Sequence, residues 1–264
     1  MLSRPQVQYT IAAFYGSKPS SFVAFVDGLR KIIQQHPLGM FFQPYANEQI
    51  HTTLMGLERL VDGELCVNLN IYESLGEKRP IKLIGCLDVF EYFLSGVQIR
   101  LGGFNPTNDQ FLSWDERPYQ RSFGIHPSTG KVVLNGWPMS NQGVSMAFSD
   151  CIWQLRKRLY QEHNLRHKYH QYADNDVFMV IGDIVNPHQP ATEKHEAFLA
   201  DLEGLQKEVR AFLSTTSPYY FPIDLEDLAL IAYEDPRLPV DGSKRYPIHL
   251  IRADISRIYD LLLN

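Results

Sequence analysis

Segments with the two-residue period of a strand alternate along this chain with segments of helical period, but not one for one, and that rhythm limits the fold more than any other feature. Val7 to Tyr15 (VQYTIAAFY) is β-rich and stops at Gly16, Ser17 and Pro19. Ser20 to Gln35 then places Phe22, Val23, Phe25, Val26, Leu29, Ile32 and Ile33 at helical spacing. Gln49 to Leu57 alternates as a strand, Pro80 to Leu94 reads as a helix opened by proline, and Val97 to Leu101 follows as a short strand. Tyr119 to Ile125 and Lys131 to Trp137 flank a turn, His126 to Gly130, and predict a hairpin. Beyond it come a helix from about Val144 to Glu162, a strand Val177 to Ile184 and a helix from about Thr192 to Leu213. Two late strands, Leu228 to Tyr233 and Tyr246 to Ile251, precede a closing helix, Ile255 to Leu263. A doubly wound parallel sheet needs strict alternation, so this order predicts antiparallel pairs in an α+β architecture. No repeat or linker divides residues 1–264, which with 44% apolar content suffice for one domain.

The net charge of −5 places any nucleic-acid contact on a local basic patch, because the overall field repels phosphate. A long duplex is disfavoured as a partner, and a small anionic ligand is not. Cys66, Cys86 and Cys151 are odd in number, far apart and without C-x-x-C spacing, the usage of reduced thiols in a cytoplasmic protein. The first residues carry no apolar leader and no run is long and apolar enough for a membrane span.

His51 and Thr53 stand two apart in an expected strand and so project from one face. An imidazole can exchange a proton with an attacking or leaving oxygen, and a hydroxyl beside it can donate to a phosphoryl oxygen, which makes half of a site for phosphodiester cleavage. A half-buried strand histidine bonded to backbone is the competing reading. Strand, helix, then Ile50-His51-Thr52-Thr53-Leu54 on a strand resembles the opening of the two-histidine phosphoesterases, which include RNA 2′,3′-cyclic phosphodiesterases and 2′-5′ ligase-like proteins. The similarity in order covers most of the chain and extends to Ile99 to Phe104, to Gly130 to Leu134 and to the helix before Val177.

The resemblance implies a bilobal fold of two pseudo-symmetric halves around a central cleft, each contributing one His-x-Thr or His-x-Ser. Here the second strand reads Asp176-Val177-Phe178-Met179-Val180, so Phe178 and Val180 stand where the second histidine and hydroxyl would be. Losing a general acid or base costs ~10²–10⁴ in rate. The implied activity is therefore weak or altered phosphodiesterase action on a nucleotide or a cyclic or 2′-5′ phosphodiester, with a short RNA end as a further partner. The alternative is a non-catalytic protein that binds a nucleotide or phosphorylated metabolite. Arg117, Tyr119 and Arg121 suit a phosphate or a stacked base, or form a polar loop paired to Asp115 and Glu116. His167 and His170 precede the altered strand as substrate-binding candidates or as a solvated loop. Neither is followed by a carboxylate or cysteine at a diagnostic interval, so no metal and no cofactor is assigned.

Overall fold

The computed structural model describes residues 2–107, 111–141, 146–170, 172–186, 192–252 and 255–263. Its elements are β1 (Gln8–Ala13), α1 (Ser20–Gln35), β2 (Phe42–Pro44), β3 (Thr52–Gly56), β4 (Arg59–Asp62), β5 (Leu65–Asn68), α2 (Leu69–Leu75), α3 (Cys86–Leu94) and β6 (Val97–Leu101). The chain continues through α4 (Pro118–Arg121), β7 (Phe123–Ile125), β8 (Lys131–Asn141), β9 (Met146–Phe148), α5 (Cys151–His163), β10 (Val177–Ile184) and α6 (Glu193–Thr215). It ends with β11 (Tyr219–Pro222), β12 (Leu228–Tyr233), β13 (Ser243–Pro247), α7 (Ile248–Ile251) and α8 (Ile255–Leu263).

The architecture is mixed α+β with antiparallel sheets flanked by helices. One sheet has the order β13-β12-β1-β3 and a second has β11-β6-β8-β10-β2, with β7 and β9 also on the long strand β8. β4 and β5 form a separate hairpin. A single apolar cluster draws Ile11, Met55 and Leu230 from the first sheet, Ile99, Leu134 and Met179 from the second, and Phe22, Leu155 and Leu205 from α1, α5 and α6. Phe22, Val26, Leu29 and Ile33 are the buried stripe that fixes α1 over the bounds its periodicity predicts.

Several boundaries differ from the sequence reading. The helix expected from Pro80 starts at Cys86, because Pro80 bridges to Val67 and Gly85 takes φ +76 at the helix entrance. Of the helix expected from Val144, residues 142–145 lie outside the described residues; Met146–Phe148 is a strand and α5 begins at Cys151. The last strand stops at Pro247, which has no N–H to continue a ladder, and a helical turn then carries His249 to the surface.

The two sheets are joined through a buried polar tripeptide just before β10. Asp174, Asn175 and Asp176 are all buried. Asp176 accepts from the Arg121 guanidinium at 2.6 Å, from the Ser113 hydroxyl at 2.6 Å and from the Trp137 indole at 2.8 Å. Asn175 accepts from the Trp153 amide and donates to the Ser149 carbonyl. Asp174 accepts from Arg156 at 2.8 Å, and the same guanidinium donates to the Thr53 and Leu54 carbonyls of β3. Arg156 thereby ties the first sheet to the strand that enters the second.

A buried ion pair that loses one partner leaves an uncompensated charge, which costs about 3–5 kcal/mol. Asp174→Ala is therefore expected to lower the urea-unfolding free energy by about that amount. Glu162→Ala, which removes the partly exposed Arg158–Glu162 pair, is expected to cost less than about 1 kcal/mol.

Candidate functional site

β1 and β3 pair, across a register shift between Ile11 and Ala12, as far as Ala13 opposite Thr52. Beyond that point Phe14 adopts φ +63 and turns away, held by stacking on Phe221 at 4.5 Å and an edge contact with Phe22 at 4.6 Å. His51 consequently lies one residue before the strand, not within it as its period suggested. Alternation survives: Thr52 and Leu54 are buried while His51 and Thr53 keep a partly exposed edge, as expected for side chains on one face.

The His51 ring is set by two neighbours. Its Nδ1 lies 2.7 Å from the Gln49 carbonyl, and the Tyr15 ring meets it edge-on at 5.8 Å. A carbonyl can only accept, so Nδ1 carries the proton and Nε2 carries the lone pair. Burial pushes the imidazole down to about 4, and the nearby ammonium groups of Lys18 and Lys131 push the same way against the Gln49 carbonyl. His51 is thus neutral at pH 7 with Nε2 as its basic atom. Lys18, on the turn between β1 and α1, donates to the Gly16 carbonyl at 2.6 Å and lies over the Phe14 ring. Burial lowers its ammonium to about 8, Glu48 opposes this and Arg245 adds to it. Lys131 opens β8 directly opposite Asp183 of β10, whose carboxylate accepts from the Tyr45 hydroxyl.

The strands carrying the two motif positions belong to different sheets, yet β3 and β10 pack against each other. Phe178 and Val180 share a face of β10, each partly exposed, and stand opposite Asn135 and Val133 of β8. The Phe178 ring meets Tyr169 at 6.1 Å. Arg121 does not pair with Asp115 or Glu116: its guanidinium holds Asp176 and lies 4.3 Å from the Trp114 ring. Arg117 donates to the Pro106 carbonyl, and Tyr119 gives its carbonyl to the Ser122 hydroxyl at the end of α4. His167 and His170 line a separate cavity of about 210 Å³ that neither His51 nor Thr53 borders.

Lys18, Lys131, Arg156 and Asp174 were not singled out from the sequence. Lys18 lies in a segment whose composition signals only a turn, and Lys131 in one whose period signals only a strand. The one available signal for Asp174 was a pair of acids directly before an apolar strand, an arrangement that needs a buried partner when the strand entrance is covered.

Three groups of His, Cys, Asp or Glu close enough to hold a metal ion do not occur together among the described residues. All three cysteines are free and buried, and burial raises the Cys66 and Cys86 thiols to about 11 and about 12. No helix among the described residues is long and apolar enough to cross a membrane. No protein-family model and no curated protein sequence matches the chain. Among solved structures it is similar to the crystal structure of the conserved protein of unknown function ATU0111 from Agrobacterium tumefaciens, at 13% identity and a TM-score of 0.43, with 92% of this chain and 85% of that one covered.

His167, like His51, is pushed down to about 4, by burial first and then by Arg156. Both fold as neutral rings whose unfolded value is 6.5, so the unfolded chain binds their protons first. The stability they contribute is complete above pH 6.5 and is lost as pH falls toward 4. Denaturant midpoints across that window are expected to fall, each histidine adding up to about 1.4 kcal/mol per pH unit, and His51→Gln is expected to flatten the slope.

Proposed function

We propose that the chain is a phosphoesterase of the two-histidine type with an altered acid–base arrangement, acting on a cyclic or 2′-5′ phosphodiester of a nucleotide. The observation that carries the reading is a neutral His51, tautomer set by Gln49, within electrostatic reach of the ammonium groups of Lys18 and Lys131. The packing of β3 against β10 brings the two motif positions onto neighbouring strands, as the reading requires.

In this reading Nε2 of His51 takes a proton from the attacking water as its oxygen bonds to phosphorus. The Thr53 hydroxyl and Lys131 hold the phosphoryl oxygens where negative charge builds. The departing oxygen needs a proton, and the lowered ammonium of Lys18 is suited to give one, in the role the second histidine would have had. Environments that push two titratable groups to opposite sides of neutrality in their working forms mark an acid and a base. A second reading, binding without turnover, is favoured by one observation: Phe178 and Val180 present no polar group from the other motif strand.

Wild-type protein is expected to hydrolyse 2′,3′-cyclic nucleotides weakly, with kcat/KM rising above about pH 4 and falling above about pH 8. His51→Ala and Lys18→Met are each expected to lower kcat by ~10²–10⁴ with little change in thermal stability. Phe178→His with Val180→Thr is expected to raise turnover only while His51 is present. Robust hydrolysis that survives His51→Ala overturns the reading, and tight nucleotide binding without hydrolysis selects the second one.

A further inference from the structure

The cavity of about 210 Å³ lies between α5, residues 166–170 and Asp174, and its wall combines three kinds of group. Trp153, Tyr160 and Tyr169 supply flat apolar faces. Lys157 and Arg166 supply positive charge, and neither is paired with a carboxylate among the described residues. Arg166 donates to the Ser74 hydroxyl and lies 5.5 Å from the Tyr160 ring, so its guanidinium is held in place beside an aromatic face. The floor is Asp174, Arg156 and His167.

The floor does not offset the wall's charge. Asp174 is matched by Arg156 at 2.8 Å and also accepts from the Trp114 indole and the Asp176 amide. His167 is 6% exposed, its Nε2 is 3.3 Å from Asp174, and its Nδ1 has no hydrogen-bond partner. A buried polar atom left without a partner costs about 1–3 kcal/mol, a penalty that a ligand group reaching the floor would relieve. Net positive charge therefore comes from Lys157 and Arg166 on the wall, next to three rings.

From this arrangement we infer that the cavity is a binding site for a small anion built on a single flat ring, its phosphate or carboxylate held by Lys157 and Arg166 and its ring packed among Trp153, Tyr160 and Tyr169. Cation–aromatic walls of this composition recognise charge and a π-face together. The volume is below the ~300–1,000 Å³ of sites for larger ligands, which limits the occupant to one ring. The site stands independently of any chemistry at His51, which does not line it.

The test is calorimetric titration of the full chain with phenyl phosphate and, separately, with 4-hydroxybenzoate. Saturable binding of either at one site per chain is expected, the first naming phosphate and the second carboxylate as the anion. Lys157→Ala and Arg166→Ala are each expected to weaken it by roughly tenfold or more, because a charge-assisted contact contributes ~1.5–3 kcal/mol. Lys157 is exposed, so its variant reads binding without disturbing the fold. His51→Ala and Lys18→Met are expected to leave the affinity unchanged. The proposal is overturned if neither probe binds, or if binding follows Lys18 and His51 instead of Lys157 and Arg166. That outcome would leave the cyclic-nucleotide assay, which reads the other site, unaffected.

Discussion

The buried carboxylates of Asp174 and Asp176, with the buried guanidinium of Arg156 and the half-buried one of Arg121, impose the strongest constraint on this structure. Charges taken out of water must be matched at short range, and here each match comes from a different part of the chain: Arg156 from α5, Arg121 from α4. Because Arg156 also donates to the Thr53 and Leu54 carbonyls, the matching that neutralises Asp174 also fixes where β3 lies relative to β10. The Trp114 and Trp137 indoles complete the two carboxylates and orient the loop before α4 and the middle of β8. The position of both motif strands, and the floor of the ring-lined cavity, follow from one set of polar contacts.

Electrostatics at His51 depend on backbone geometry more than on residue choice. The positive φ of Phe14 ends the β1–β3 ladder, frees His51 from strand pairing and lets its ring turn back on the Gln49 carbonyl. The same turn brings Lys18 over the Phe14 ring. An imidazole held neutral and an ammonium that releases its proton more readily than usual then lie within electrostatic reach of each other, and both shifts come first from burial. His167 reaches the same neutral state by burial with a different second influence, the Arg156 guanidinium.

Much of the fold was legible because its periodic segments are long: α1, β6, β10, β12 and α8 have the bounds their patterns predict. Short elements were not. The β4–β5 hairpin has four-residue strands and β11 has four residues, too few for a period to stand out. At the site, His51 and Thr53 were legible as a local pattern, and so were the apolar residues at 178 and 180. The residues that surround His51 are brought there by long-range pairing: Lys131 through β8 and β10, and Lys18 through a turn fixed by Phe14 and Phe221. No local spacing announces such contacts. Arg121 shows the converse, since its neighbours Asp115 and Glu116 suggested partners and the fold supplied Asp176, 55 positions away, instead.

The outermost strands share a further property. β2, β11 and β13 each end their sheet order, and each ends on a proline, Pro44, Pro222 and Pro247. A strand edge offers unpaired amides to any extended chain that drifts alongside, and proline has none to give. β13 adds Lys244 and Arg245, both exposed, so a second copy approaching that edge meets like charge as well. At β3, the other end of the first sheet, the Thr53 and Leu54 carbonyls accept from Arg156. These outer strands are thereby guarded against recruiting a second copy into a growing sheet, and the guanidinium that joins the two sheets also occupies carbonyls on one of them.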